Sequence, residues 1–376
     1  MNIGIFETQH FEGAYPMIRI MDMPGNRLTI FVNTETYRRF SDLFAGDMDR
    51  YNWIIKPAGM HNRHFVWQIY KTCKKEKIEL LFLNTVDANF ILYGWAAALL
   101  PAVKVILTLH DANSLLRSSF SLRPRRLVRH AGKKVLAYFC YAFSTVSETV
   151  QEQLVNRMGI RKKVICIPGA VFEQQHYIPP VYTTAAPLQI VVPGSIDNRR
   201  RDYNKVFELL ELVNQRALPV VITLAGGPYA AYGSSMIKRF REYSLTHSNL
   251  IYYETPVLDQ PIFDAAINNA HFVWIPSVIK TVIADGIEEE YGLTKSSGNV
   301  FDAIKHARPV LVPAALTMPA TLHSSMFAYS SADQLADFLS AMAASPPAYS
   351  GLAAAALANS MKYSADKMRE RIRPLL

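Results

Sequence analysis

The sequence predicts an α/β protein made of two units, each a parallel sheet covered by helices on both faces. Apolar, β-prone runs at 1–6, 28–32, 53–55, 80–83 and 103–109 alternate with helix-like or polar stretches, the pattern of strands joined by crossover helices. The alternation stops at 173–187, EQQHYIPPVYTTAAP, a stretch rich in proline with little periodicity, and restarts at 188–192. With 376 residues and 50% hydrophobic content, each side of that break can bury its own core. The expected domains are 1–180 and 181–358.

Taken in order, the first strand leads into a loop from Glu7 to Tyr15. A strand at 141–146 is followed by SETVQEQL, whose Ser and Glu precede an apolar period and predict a helix capped by Ser147. Val164 to Ile167 is a strand stopped by Pro168-Gly169. In the second half, strands are expected at 188–192, 219–224, 249–253, 271–275 and 309–313. Helices are expected where Val206, Leu209, Leu210 and Val213 share a face, at 261–269, at 299–306 and at 331–343. The Ala-rich run 351–360 and the final residues are helix-prone.

Composition narrows the function. Cys73, Cys140 and Cys166 have neither disulfide-framework nor zinc-ligand spacing, which favours a reducing, cytoplasmic setting. The N-terminus lacks the basic start and long apolar core of a secretory signal. The uncharged run Ala88 to Val103 contains Pro101 and is short for a membrane span, so a buried helix is expected there. Net charge is +9, and the excess lies in one half: 23 of the 40 Lys/Arg and 14 of the 31 Asp/Glu fall in residues 1–180. A basic patch at 117–134 lies in a stretch, 112–147, free of acidic residues. It suits an anionic membrane surface, the inner face for a cytoplasmic protein, or a solvated face. Phe120 is the one aromatic in the patch, which argues against a nucleic-acid stacking platform. Asp47-Met48-Asp49 has a metal-diphosphate spacing but sits in a polar segment before a strand, so a solvated turn is expected and no metal site is assigned. GxGxxG, GxxxxGK[ST] and GxSxG motifs are absent from the sequence.

Ligands of parallel sheets sit beyond the carboxyl ends of the strands. His110 and Asp111 directly follow the 103–109 strand; in a structural role Asp111 or Asn113 would cap the next helix. Gly194-Ser195 ends the 188–192 strand, and Arg199, Arg200 and Arg201 stand between it and the next helix, where guanidinium forks match phosphate oxygens. Asp197 and Asp202 would partly neutralise them in a structural role. Gly226-Gly227 ends the 219–224 strand, allowing close backbone approach to a ligand or simply a tight turn. In 289–313, EEYGLTKSSGNVFDAIKHARPVLVP, the residues Val300, Ala303, Ile304 and Ala307 have helical spacing. Lys295, Ser296, Ser297 and Gly298 fall where that helix begins. Exposed N–H groups, two hydroxyls and an ammonium there meet the positive end of the dipole, which attracts phosphate; Ser297 as a plain N-cap is the alternative.

With these residues in view, the chain resembles the GT-B glycosyltransferases, and among them the retaining enzymes of glycosyltransferase family four. AFSTVSETVQEQL is similar to the family's strand and Ser-Glu helix start, VICIPGAV to its strand ending in a Pro-Asn-Gly turn, and LAGGPY to its Gly-x-Gly-Pro turn. NNAHFVWIPS is similar to the strand before the donor loop, and DAIKHARPVLVP to the Glu-Ala-(apolar)-Ala-x-Gly-x-Pro-Val element. The resemblance implies two Rossmann-like domains facing across a cleft, the first binding acceptor and the second a nucleoside diphosphate sugar. It also implies that 359–376 crosses back to the first domain. Arg201 stands at or next to the family's diphosphate Lys position, with Arg200 as the alternative, and Ser195 stands at its Arg position. Asp302 takes the place of the Glu that bonds the ribose. The family's earlier Glu falls on Thr294, with Glu289 and Glu290 several residues early. His110 matches the histidine beside the transferred sugar and Gly13 the first glycine loop.

The resemblance thus implies transfer of a sugar to a glycan or lipid-linked acceptor, retaining and without metal or cofactor; together with the helix-start reading of Lys295, it makes His110, Arg201 and Lys295 the expected catalytic residues. Gly194, Arg200, Gly226, Gly227, Glu290, Ser296, Ser297, Gly298, Asn299 and Asp302 would lie on the donor side, and Gly13 and Asp111 on the acceptor side. The rivals are a sugar-nucleotide 2-epimerase of the same fold and a non-catalytic nucleotide-sugar or glycan binding protein.

Overall fold

Runs such as Leu80–Leu83 and Lys104–Thr108 are buried along nearly their whole length, so both faces of these strands are covered, as in the middle of parallel sheets. The computed structural model describes residues 1–44, 46–117, 123–282 and 286–375; Phe120 lies outside them. Among the described residues the first sheet has seven parallel strands in the order β3-β2-β1-β4-β5-β6-β7. These are β1 (Asn2–Phe6), β2 (Arg27–Asn33), β3 (Asn52–Lys56), β4 (Leu80–Leu83), β5 (Lys104–Thr108), β6 (Ala142–Thr145) and β7 (Val164–Cys166). The second sheet contains β8 (Leu188–Pro193), β9 (Val220–Ala225), β10 (Leu250–Tyr252) and β11 (Phe272–Trp274). A hairpin of β12 (Lys280–Val282) and β13 (Glu288–Glu290) intervenes before β14 (Val310–Pro313) and β15 (Met326–Tyr329) complete that sheet, in the order β10-β9-β8-β11-β14-β15. The predicted fold class is observed: two Rossmann-like units.

Helices connect the strands. The first half has α1 (Phe11–Met21), α2 (Thr34–Phe44), α3 (Asn62–Lys75), α4 (Phe90–Ala98), α5 (Ala112–Leu116), α6 (Pro124–Phe139) and α7 (Glu148–Glu152). The second has α8 (Tyr203–Gln215), α9 (Ala230–Ser244), α10 (Gln260–Asn268), α11 (Gly298–His306), α12 (Ala332–Ala344), α13 (Pro346–Met361) and α14 (Ala365–Ile372). The 180/181 break lies in the connection between the sheets.

Several local expectations change. The loop expected from Glu7 to Tyr15 ends at Phe11, where α1 begins. Ser147 occupies the N-cap position of α7, but its side chain makes no capping bond and its hydroxyl meets Thr149 Oγ1 at 2.8 Å instead. Only one face of α4 is buried: Phe90, Tyr93, Gly94 and Ala97 turn inward while Trp95 is exposed. No helix among the described residues is long and apolar enough to cross a membrane.

The C-terminal segment returns to the first unit as expected. Met368 and Ile372 of α14 join the apolar cluster containing Met17, Ile18 and Met21 of α1. Arg369 reaches the end of α1 and donates to the carbonyl oxygens of Arg19 (2.7 Å), Ile20 (3.1 Å) and Asp22 (2.7 Å). Helix C-termini leave carbonyls unpaired and carry partial negative charge, so a guanidinium satisfies both needs. Arg369→Ala is expected to destabilise the chain by about 2–3 kcal/mol, because charge-assisted bonds to partly buried groups are lost. Urea unfolding checks this: a lower midpoint is the expected result, and an unchanged midpoint would mean that α14 contributes nothing to the hold on α1.

Candidate functional site

In each sheet the strand order reverses beside its first strand, between β1 and β4 and between β8 and β11. Such a point opens a crevice beyond the strand ends. In the second sheet the backbone after β8 turns at Gly194, whose φ is +86°. That left-handed φ favours glycine, and a Cβ there would lie 2.4 Å from an Arg201 guanidinium nitrogen and displace it. Arg201 is buried; it donates to Ser195 O (2.9 Å) and Asn299 Oδ1 (2.9 Å) and forms a backbone bridge with Ser277 after β11. Burial holds its pKa below the usual arginine value. Its Nε has no hydrogen-bond partner among the described residues.

Asn299 belongs to the first turn of α11, and its Nδ2 donates to Pro193 O (2.8 Å) and more weakly to Asp302 (3.4 Å). Arg201 and Asn299 therefore tie the β8 turn to the start of α11, where Ser297 is the N-cap residue and Gly298 is exposed. Ser297 makes no side-chain cap, so the expected capping bond is absent. Ser296 Oγ is buried without a partner among the described residues. Burial pushes the Asp302 carboxyl up to about 7, against the lowering influence of Lys305, Asn299 and Arg201.

At the first sheet, Glu7 directly follows β1 and is fully buried. It accepts from the amides of Gln9 (2.5 Å) and His10 (2.8 Å), from Asn84 Nδ2 (2.6 Å) and from Thr85 Oγ1 (2.7 Å). His110 lies beside this cluster. Its Nε2 meets a carbonyl oxygen, Asn84 O, at 2.9 Å, so that nitrogen carries the proton and donates. Burial, then the neighbouring His10 ring 5.6 Å away, lowers the His110 pKa.

The two halves meet through β13 and the loop after it. Glu289 is buried and accepts the backbone N–H groups of Asn113 (3.2 Å) and Ser114 (2.6 Å) at the start of α5, while Ala112 N donates to Thr294 O (2.9 Å). Burial raises the Glu289 pKa. Lys295, expected at the phosphate point, forms an ion pair with Asp111 instead. The seam therefore brings Asp111 and Lys295 together directly after His110.

Other candidates are held by neighbours. Arg199 is locked on Asp197 by bonds of 3.1 and 3.0 Å. Arg200 stays half exposed, with its Nε 3.6 Å from Asp197. Asp202 caps α8 through Asn204 N. A Cβ on Gly226 would strike Gly194 O at 2.1 Å and one on Gly227 would strike Thr255 O at 1.9 Å, so backbone packing already explains both glycines. The Glu290 carbonyl receives the amides of Leu293, Thr294 and Lys295, making the turn. Gly13 lies in the first turn of α1 with open space beside it. Asp47 and Asp49 sit in a short turn, Asp47 3.6 Å from Arg50. Glu7 is not among the sequence candidates, and Glu289 enters there only as a carboxylate several residues too early for the family's position. An acid directly after β1 could have flagged the first, but the second depends on partners about 175 residues away.

No curated protein matches the chain by sequence. Residues 21–174 match the family model described as Glycosyltransferase Family 4. Among solved structures, sucrose-phosphate synthase from Thermosynechococcus elongatus superposes with a TM-score of 0.64 at 14% identity, covering 100% of this chain and 98% of that one. Anabaena HepE, solved with UDP and glucose, gives 0.64 at 13% identity, with 100% and 99% covered. UDP-GlcNAc 2-epimerase from Neisseria meningitidis, bound to UDP-GlcNAc, gives 0.62 at 12% identity, with 100% and 99% covered. The chain thus has the GT-B fold throughout, and most of its N-terminal unit resembles family four.

Proposed function

We propose that the chain is a glycosyltransferase that moves a hexose-type sugar from a nucleoside diphosphate donor to a glycan or lipid-linked acceptor, in cell-surface polysaccharide or glycoconjugate synthesis. The observation that carries this is the convergence of Gly194, Arg201, Asn299 and the start of α11 at one switch point, facing His110 and Asp111 across the seam. In the reaction the bond from the anomeric carbon to the diphosphate oxygen breaks with its electron pair going to that oxygen, the acceptor oxygen bonds the carbon, and the acceptor proton passes to the departing diphosphate. Negative charge grows on the departing diphosphate. Arg201, half-exposed Arg200 and the α11 amides would stabilise it without a metal, and a phosphate oxygen would satisfy the unpaired Arg201 Nε. Lys295 would add its charge on exchanging Asp111 for the donor. Asp302 would bond the ribose, and His110, with Nε2 committed to Asn84, would offer Nδ1 toward the sugar.

Two of the structural relatives were solved with UDP or UDP-GlcNAc, so UDP is the first ligand to titrate, with GDP beside it. Saturable binding of either, followed by sugar transfer to an added acceptor, is the expected result. Binding with turnover of UDP-GlcNAc in the absence of acceptor would favour the 2-epimerase, and binding without any turnover a non-catalytic binder. Absence of binding to both would remove the proposal.

Arg201→Ala is expected to lower turnover about a hundredfold to a thousandfold, the range for removing one preorganised donor from a developing anion. Arg201→Lys should recover part of it. If Arg201→Ala folds and keeps its rate, the residue leaves the mechanism.

Asp302 gives a pH signature. Its folded pKa, about 7, lies above the ordinary aspartate value of 3.8, so the folded state binds more protons between those values and stability falls as pH rises from about 4 to 7. The effect is on the order of 2–4 kcal/mol. Asp302→Asn should flatten that slope in denaturation series at successive pH values; a variant with the wild-type slope would place the titration elsewhere.

A further inference from the structure

The cations of 117–134 do not all face solvent. Lys133 is buried and donates to Ser114 O at 2.7 Å, and the Arg129 guanidinium lies 5.2 Å from the Phe90 ring centre. What α6 presents outward is an apolar ridge: Leu127, Val128 and Tyr138 are 53%, 59% and 77% exposed, at helical spacing, with exposed Arg125 and Lys134 beside them. Helix α4 runs alongside at very close range. A Cβ on Gly94 would lie 2.9 Å from Leu136 N, and one on Gly132 2.7 Å from Ile91 N. The outer faces of the two helices therefore make one surface, to which Trp95 of α4 and Leu99 at its C-cap add, 61% and 51% exposed.

Single exposed apolar residues are ordinary, but a continuous apolar surface marks an interaction site. Its charges identify the partner. Helix α4 carries no charged residue and the stretch 112–147 no acidic one, so every charge that the two helices themselves carry is positive. Protein interfaces deplete lysine from the patch that they bury. Tryptophan and tyrosine beside arginine and lysine, on helices lying flat, are instead the composition of a surface seated at the headgroups of an anionic bilayer.

We propose that the outer face of α4 and α6 is a membrane-docking surface, with Trp95, Leu127, Val128 and Tyr138 entering the interfacial layer and Arg125 and Lys134 resting on anionic phospholipid headgroups. It would hold the first unit against the lipid in which a lipid-linked acceptor resides. It deepens the proposed function but does not need the activity to be tested.

The test is co-sedimentation of the full chain with vesicles of phosphatidylcholine alone and of phosphatidylcholine mixed with phosphatidylglycerol. Three chains are compared: wild type, Arg125→Gln with Lys134→Gln, and Leu127→Ser with Val128→Ser. Wild type is expected to bind only the mixed vesicles. The charge variant should lose affinity on the order of twentyfold, about fivefold for each cation near the surface, and the apolar variant should lose affinity as well. Equal binding to both vesicles, no binding, or undiminished binding of either variant would overturn the proposal. So would a dimer in solution that Leu127→Ser with Val128→Ser dissolves while vesicle binding is absent, since a second copy would then cover the face. UDP titration without lipid is expected to be unchanged in both variants. A chain that binds UDP but not vesicles loses this inference alone; one that binds vesicles but neither UDP nor GDP loses the preceding reading alone.

Discussion

A guanidinium buried with no carboxylate bonded to it fixes the geometry of the candidate site in the second unit. Arg201 is 7% exposed, and its charge is met by the Ser195 carbonyl and the Asn299 side-chain oxygen. Removing a full charge from water costs several kcal/mol unless fixed dipoles replace the solvent, so the turn at Gly194 and the first turn of α11 must hold their positions around it. The neighbouring arginines show what decides such placement. Asp197 is buried at the start of the same turn and fixes Arg199, and burial, which alone would raise its pKa, is outweighed by that partner. Arg200 meets Asp197 only at 3.6 Å and stays half exposed. Three identical side chains in sequence thus have three environments, set by one carboxylate and one asparagine.

The seam between the units follows the same logic with the sign reversed. Glu289 is 1% exposed and receives two backbone amides from the start of α5, a place where unpaired N–H groups and the positive dipole end favour an acid. The hairpin of β12 and β13 lies in the second unit, yet its buried carboxylate is satisfied by the first. The pair of Asp111 and Lys295 closes the same seam one step nearer to His110. The loop leading into α11 is therefore positioned by contacts with both halves. That links the geometry of the candidate donor corner to the way the units meet.

Much of this was legible in the sequence, and the limits are physical. Strands buried on both faces announce themselves as apolar runs, so the alternation, the break at 173–187 and the start of α11 could all be read from pattern. Arg201 and Asn299 were legible as candidates because each sits between a strand end and a helix start or at a helix start, and Asp302 through the resemblance to family four. Their bonding was not, since Arg201 and Asn299 are 98 residues apart. The hairpin strands are three residues each, and their sequence, KTV and EEE, carries no apolar alternation. Strand β15, MFAY, is an edge strand with partial burial, too short for periodicity to stand out. Lys295 looked like a phosphate ligand because its partner Asp111 lies 184 positions away; a local reading can count charges but cannot see that two of them cancel across a fold.

The two sheets repeat one strand order, yet their switch points carry opposite charge, and this asymmetry argues for a division of labour. Beyond β1 lies Glu7, a buried carboxylate surrounded by four donors; beyond β8 lies Arg201, a buried guanidinium held by two acceptors. A pyrophosphate group entering the crevice would meet like charge at the first and opposite charge at the second. Charges of either sign buried a few ångströms from a ligand act through a poorly screening medium, so the preference is strong even where direct contact is lacking. The first switch point suits neutral hydroxyl groups, which can lie beside a carboxylate and an imidazole without repulsion. Under the proposed function, an anionic donor in the second unit and a hydroxyl-bearing acceptor in the first would satisfy both charges at once.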